Sequence, residues 1–279
     1  MAIRRLYLND LVSIDTLVAR SELLEGIAAH LKSYLASDVQ EPEDKDNQIP
    51  LWWPQHEAIL LKKTVSLQLK ITAFLNKCSR EEKLSDSLLS VMKSVTQPGI
   101  SSYSIPTVLG SRQDRCFSAV LVGVSSPDSS GFELAWRICT EQRLRLDRYF
   151  RLSAFVLIKR SRVASLVHLI DFVQSRMSTQ SVGFFEMEQL LVDCASLTQE
   201  KDKENRTHDT EIIVQLIKQP ANKIRVFINL GWLKAAYLLA VKNAMVADVV
   251  RIQQEATRLN HRTVLTLCNK WLKFHKVTP

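Results

Sequence analysis

A chain of 279 residues with 46% apolar and 24% charged side chains is long enough to build a core without disulfide or metal staples, since at this size roughly 70–75% of the unfolded surface is removed on folding. Seven Gly and eight Pro are too few for the many tight turns of a sandwich or barrel, which leaves helices as the favoured element. The formal net charge of +8 is compatible with nucleic acid or an anionic membrane, but no dense Lys/Arg block appears; the excess reads as diffuse, richest towards the C-terminus.

Leu11, Ile14, Leu17, Val18, Leu24, Ile27, Ala28, Leu31 and Leu35 recur at steps of three and four and so share one face of a long helix, which Asn9 or Asp10 can cap. Residues 38–55 then turn acidic and polar around Pro42, with Glu41, Glu43, Asp44 and Asp46. A stretch that can bury so little reads as a mobile loop. At its end Trp52, Trp53 and Pro54 place two large aromatics just outside a helix start. They fit either a hydrophobic staple onto that helix or anchors that fill a partner's pocket. The helix itself runs from about His56 to Cys78 on the stripe Leu60, Thr64, Leu67, Ile71, Phe74, Leu75 and Cys78. Ser79 and Glu82 have capping-box spacing and predict a third helix carrying Leu84, Leu88, Val91, Met92 and Val95, stopped by Pro98 and Gly99.

Residues 97–113, with Pro98, Gly99, Pro106 and Gly110 among many serines, read as a linker. It divides an N-terminal helical segment, 1–96, from a C-terminal helical-repeat domain, 114–279. Past the linker come Phe132, Ala135, Trp136 and Cys139, then Tyr149, Leu152 and Val156, then Val163 to Met177, then Met187, Leu190, Leu191 and Cys194, before a charged loop at Gln199 to His208. These short stripes with brief polar connectors predict helices that lie antiparallel on their neighbours. Gly131-Phe-Glu-Leu-Ala-Trp and Gly231-Trp-Leu-Lys-Ala-Ala are weakly self-similar, with Ala135 and Ala235 placed to let helices approach, yet no consensus repeat of about 34 residues is present. The expected fold class is therefore all-α, an α-solenoid of degenerate antiparallel helix pairs. Phe117 to Val124 and the alternating Ile224, Val226, Ile228 and Leu230 resemble strands. A lone strand would leave its amides unpaired, and Pro220 suits a first helical turn, so helix is the better reading for both. Trp232 to Val241 is apolar nearly all round, as expected of an inner helix.

The sequence nominates no catalytic, cofactor or metal residue. Cys78, Cys116, Cys139, Cys194 and Cys268 are odd in number and widely spaced, which fits reduced, buried thiols, and no signal core or bilayer-length apolar run appears, making the cytosol the default compartment. His56-Glu57 begins like a zinc-protease motif, but Leu60 stands where the second histidine is required. His168 and Asp171 suit a surface pair, the glycines are isolated rather than phosphate-cradling, and Asn205-Arg206-Thr207 is a chance sequon in a cytosolic chain. Phe132, Trp136, Tyr149, Trp232, Tyr237 and Trp271 sit at core spacing rather than as a base-stacking platform. The candidate partner-binding residues are Trp52 and Trp53, together with Arg251, Arg258, Arg262, Lys270 and Lys273 of the basic C-terminal stretch.

The block from Asn229 to Lys242, with Val246 to Ala256 and Val264 to Leu272, resembles the extreme C-terminus of the spastizin family of FYVE-finger proteins, and Gly131 to Cys139 with the Tyr149 to Met177 helices resembles that family's terminal helical repeats. Residues 110–279 carry the resemblance. It implies protein partners, spatacsin and the fifth adaptor complex, at late endosomes and lysosomes, with roles in lysosome reformation, membrane traffic, autophagy and cytokinesis. The family's zinc finger, with its basic His-rich motif and cysteine pairs, is absent from these residues, so no lipid-site residue carries over and membrane association is expected to be indirect. The expected function is a non-catalytic scaffold for protein partners with no small-molecule substrate. The alternative is a basic helical-repeat module that binds RNA or an anionic membrane.

Overall fold

The computed structural model describes residues 17–36, 55–81, 90–91, 105–126, 130–177, 186–198 and 203–275. Twelve helices are found among them: α1 (Leu17–Ala36), α2 (Gln55–Glu81), α3 (Arg112–Ser125), α4 (Ser130–Glu141), α5 (Leu146–Lys159), α6 (Val163–Met177), α7 (Met187–Leu197), α8 (Lys203–Leu216), α9 (Pro220–Asn229), α10 (Leu233–Lys242), α11 (Val246–Arg258) and α12 (Arg262–Phe274). The fold is all-α, of the expected solenoid class. The chain divides into two compact units, one of Met1–Val156 with Val167–Ser175, the other of Leu157–Leu166 with Arg176–Pro279.

In the first unit α1 packs on α2, α2 on α3 and α3 on α4. Leu24, Ile27 and Leu31 of α1 meet Val65 of α2 and Leu109. Residues 105–109 lie inside the stretch expected to link two domains, and they are buried. Their backbone polar groups are met by side chains: the buried Arg20 donates through Nη1 to the Ile105 carbonyl at 2.8 Å, and Gln68 Oε1 accepts from Val108 N at 2.8 Å and Thr107 Oγ1 at 2.9 Å. A capping box then opens α3, where Ser111 Oγ accepts from Asp114 N while Asp114 Oδ2 accepts from Ser111 N. Around α4, Trp136 lies 6.0 Å from both Phe150 and Phe172, Phe132 is 6.0 Å from Phe172, and Tyr149 is 5.2 Å from Phe150. These five rings form the unit's aromatic core.

In the second unit α7 packs on α8 and on α9, α9 on α10 and α11, α10 on α11 and α12, and α11 on α12. The hairpins α9–α10 and α11–α12 therefore stack first helix on first and second on second, in two layers. Ile224, Leu233, Ala236, Ala240, Val249, Ile252, Ala256, Val264, Cys268 and Leu272 form the core of this array, with Ala236, Ala240 and Ala256 as its small side chains.

One backbone device recurs at the helix–helix corners. Arg143, Ser161, Gly231, Ala244 and Asn260 all have φ between 50° and 75°. The amide after each donates to a carbonyl five residues back: Leu144 to Cys139, Arg162 to Leu157, Trp232 to Phe227, Met245 to Ala240 and His261 to Ala256, all at 2.8–2.9 Å. The left-handed residue itself donates three residues back, for example Gly231 to Ile228 at 3.0 Å and Ala244 to Val241 at 3.1 Å. This is the Schellman closure, which satisfies the last carbonyls of one helix while aiming the chain into the next. At one corner the accompanying apolar contact is aromatic, with Trp232 5.9 Å from Phe227.

Several expectations need correction. The backbone at Ser79 lies inside α2, which runs to Glu81, and Glu82 of the expected capping box lies outside the described residues; a capping box is found at Ser111 and Asp114. Helix α8 starts at Lys203, within the stretch expected to be a charged loop, because Thr210, Ile213 and Val214 give it a face to bury. Helix α10 is not an inner helix, since Leu238 is 59% exposed. The two self-similar glycines do unrelated work. Gly131 lies within α4, where an added Cβ would stand 2.7 Å from the Val122 carbonyl oxygen, whereas Gly231 takes φ +75° at a corner with open space around it. Ala235 is half-buried, and Ala236 and Ala240 are the buried small residues of α10. Asn9, Asp10, the acidic loop and residues 82–89 and 92–104 of the expected third helix lie outside the described residues.

Candidate functional site

The reactive residue types are placed for packing. All five cysteines are buried. Burial pushes the Cys116, Cys139 and Cys268 thiols up, the last to about 11, so thiolate is scarce near neutrality. Burial also lifts the Tyr149 hydroxyl well above its ordinary range. His56, His168 and Asp171 are exposed. Among the described residues no cluster of three His, Cys, Asp or Glu could hold a metal, and no helix is long and apolar enough to cross a membrane.

The basic C-terminal residues separate into two groups that sequence alone did not distinguish. On α11, Arg251 faces Asp248 at 3.6 Å and Arg258 is forked onto Glu255 through Nε and Nη2. The Arg258 guanidinium holds the Glu255 carboxyl below its usual range, and the carboxylate in turn raises Arg258. These arginines are largely neutralised along their own helix. On α12, Arg262, Lys270 and Lys273 are exposed, and the helix contains no Asp or Glu. Trp52 and Trp53 lie outside the described residues.

Helix α10 supplies what the sequence reading missed. Lys234, Leu238 and Lys242 fall at one-turn steps on the side opposite Leu233, Ala236 and Ala240, and the helix again has no acidic residue. Tyr237 joins α10 to α12 through a 3.4 Å hydrogen bond from its hydroxyl to the Leu267 carbonyl. The second layer thus presents Lys234, Leu238 and Lys242 beside the cations of α12. At the end of α12, Phe274 is 84% exposed, while the half-buried Trp271 stacks on His275 at 4.0 Å. The signal was present in the sequence: residues 218–279 hold eleven Lys and Arg against only Asp248 and Glu255. The surplus is therefore concentrated here, not diffuse as expected.

Comparison with known proteins agrees with this architecture. Residues 146–273 match the family model described as ZFYVE26-like, TPR repeats. The chain is 26% identical to the human zinc finger FYVE domain-containing protein 26 over 216 residues, and 25% identical to the mouse protein over 214, in each case covering 75% of this chain. The rat protein is likewise 25% identical over 214 residues. The chain spans about 8% of the length of these curated relatives. No solved structure matches. The resemblance to the FYVE-protein family that includes spastizin is thus shown as a likeness, and over residues 146–273 the chain is similar to ZFYVE26-like TPR repeats.

Proposed function

We propose that the chain is a non-catalytic helical scaffold that binds protein partners in late-endosomal and lysosomal traffic, including lysosome reformation. The observation that carries this reading is the stacked two-layer array of α9 to α12, whose core is closed by small and aliphatic side chains and whose outer faces carry the polar, charged and exposed apolar groups. An array of this kind works through its surface, because its interior is filled by its own helices. The similarity to the FYVE protein supports spatacsin and the fifth adaptor complex as partners, with membrane association through them, the chain remaining cytoplasmic at the lysosomal periphery. No reaction is assigned to it, since its thiols are buried and its ionisable groups are spread over helix surfaces.

The test is co-precipitation of the purified chain with spatacsin and with adaptor subunits, beside circular dichroism that verifies helical folding. Recovery of either partner by the folded chain is expected. A chain that remains helical and recovers neither overturns the reading. The rival reading, RNA or an anionic membrane, draws on the same basic residues and predicts steep weakening of binding as salt rises from about 50 to about 200 mM.

A further inference from the structure

Charge is distributed unevenly between the two layers of the second unit. In the first layer, α11 neutralises its own arginines through Asp248 and Glu255. In the second layer, neither α10 nor α12 has an acidic residue, and Lys234, Lys242, Arg262 and Lys270 are all exposed. Among the described residues none of these four has a carboxylate within ion-pair distance. Leu238 stands between Lys234 and Lys242, 59% exposed, a large aliphatic group left to water on an otherwise cationic ridge. A single apolar residue flanked by cations at one-turn steps has a natural complement: a helix with an apolar residue between carboxylates at the same steps.

We propose that the outward ridge of α10 and α12 is a docking face for an acidic amphipathic helix of a protein partner, with Leu238 and Phe274 as its apolar contacts. The proposal rests on the reading of the array as a protein-binding scaffold and names the chemistry of what it binds. The observations favour a protein segment over the other anionic occupants. Insertion into a membrane calls for a broad apolar face, and here the exposed apolar groups are single residues among cations. Single-stranded nucleic acid calls for several aromatic faces open to bases, whereas of the aromatics on α10 and α12 Tyr237 and Trp271 are half-buried, Trp271 with a face stacked on His275, and only Phe274 is exposed. Carboxylates on the partner meet the lysines by charge complementarity, which sets register and speeds encounter.

The experiment uses the full chain and a synthetic helical peptide with one Leu flanked at one-turn steps by Glu, read by fluorescence anisotropy. A twin peptide with Gln for Glu is the control. The acidic peptide is expected to bind, to weaken with salt, and to bind at least about ten-fold better than its twin. Lys234→Glu with Lys242→Glu should weaken it by about ten-fold or more, Lys234→Arg with Lys242→Arg should keep it, and Leu238→Ala should cost about three- to ten-fold. These sites are exposed, so an unchanged melting temperature verifies that the variants fold. Equal binding of the two peptides, or indifference to charge reversal, overturns the proposal. So does a chain that ignores the peptide but binds single-stranded RNA, or vesicles of phosphatidylcholine with about 30% phosphatidylserine. If the charge-reversed chain still recovers spatacsin or adaptor subunits undiminished, this face is not their site, while the scaffold reading stands.

Discussion

Gly131 and Gly231 open similar-looking sequence blocks, and the structure predicts that they rank the same two substitutions, to Ala and to Asn, in opposite order. Within a helix Gly→Ala ordinarily stabilises by about 0.5–1 kcal/mol, because alanine loses less backbone freedom on folding. At Gly131 that gain is overridden: the new Cβ would stand 2.7 Å from the Val122 carbonyl oxygen and 3.1 Å from that of Gly123, backbone atoms that move only if α3 and α4 separate. Overpacking of this kind costs about 1–3 kcal/mol, so Gly131→Ala should be net destabilising by about 1–2 kcal/mol, and the larger Gly131→Asn should be worse. At Gly231 no atom lies within 4 Å of the new Cβ, and the cost is the left-handed backbone alone, about 1–2 kcal/mol for alanine. Asparagine tolerates that conformation, as Asn260 does at φ 54°, so Gly231→Asn should recover most of the loss. Urea unfolding followed by far-UV circular dichroism ranks the four variants. Stabilisation by Gly131→Ala, or an equal response to Asn at both sites, would refute the close approach of α3 and α4.

Ala244 sits at φ 52° without the freedom of glycine, so Ala244→Gly should raise stability by about 0.5–1 kcal/mol and lift the melting temperature of the second unit. Gln68→Leu removes the acceptor of Thr107 Oγ1 and Val108 N from a buried site and should cost about 1–3 kcal/mol by denaturant titration. A disulfide-exchange dye should find no fast-reacting thiol in the native chain at neutral pH and all five in denaturant, because every cysteine is buried. The Cys268 thiol stays protonated up to about 11 when folded, against 9.0 for an ordinary thiol. Its contribution should therefore be whole below pH 9 and decline as pH rises towards 11, a slope in alkaline melts that Cys268→Ala makes shallower.

The helices of the C-terminal half were legible because each buries a regular stripe. Phe132, Ala135, Trp136 and Cys139, or Val163, Leu166 and Ile170, recur at helical steps and are all buried. The start of α8 was not legible, because Lys203 to His208 offers no apolar stripe and the face that holds the helix begins at Asp209 and Thr210. Nor could the corners be read. Arg143, Ser161 and Ala244 are poor advertisements for left-handed backbone, and packing on both sides imposes the conformation there. Of the candidate site, the cations of α12 were read directly, but Arg251 and Arg258 were grouped with them because charge was counted along the chain and not by layer. The ridge of α10 was hidden by its own composition. Leu238 among so many apolar neighbours looked like one more core residue, and only the placement of Ala236 and Ala240 shows which way the helix faces.

The shared closure at the corners determines how such an array can change over time. Because the hydrogen bonds that close each bend run between main-chain groups, side chains there can drift until little kinship is visible while the bend persists. Whole hairpins are then the units of growth and loss, since excising one rejoins two bends of the same geometry. A single residue inserted within a helix is far less forgiving, because it turns everything beyond it by about 100° and carries a sealed face into water.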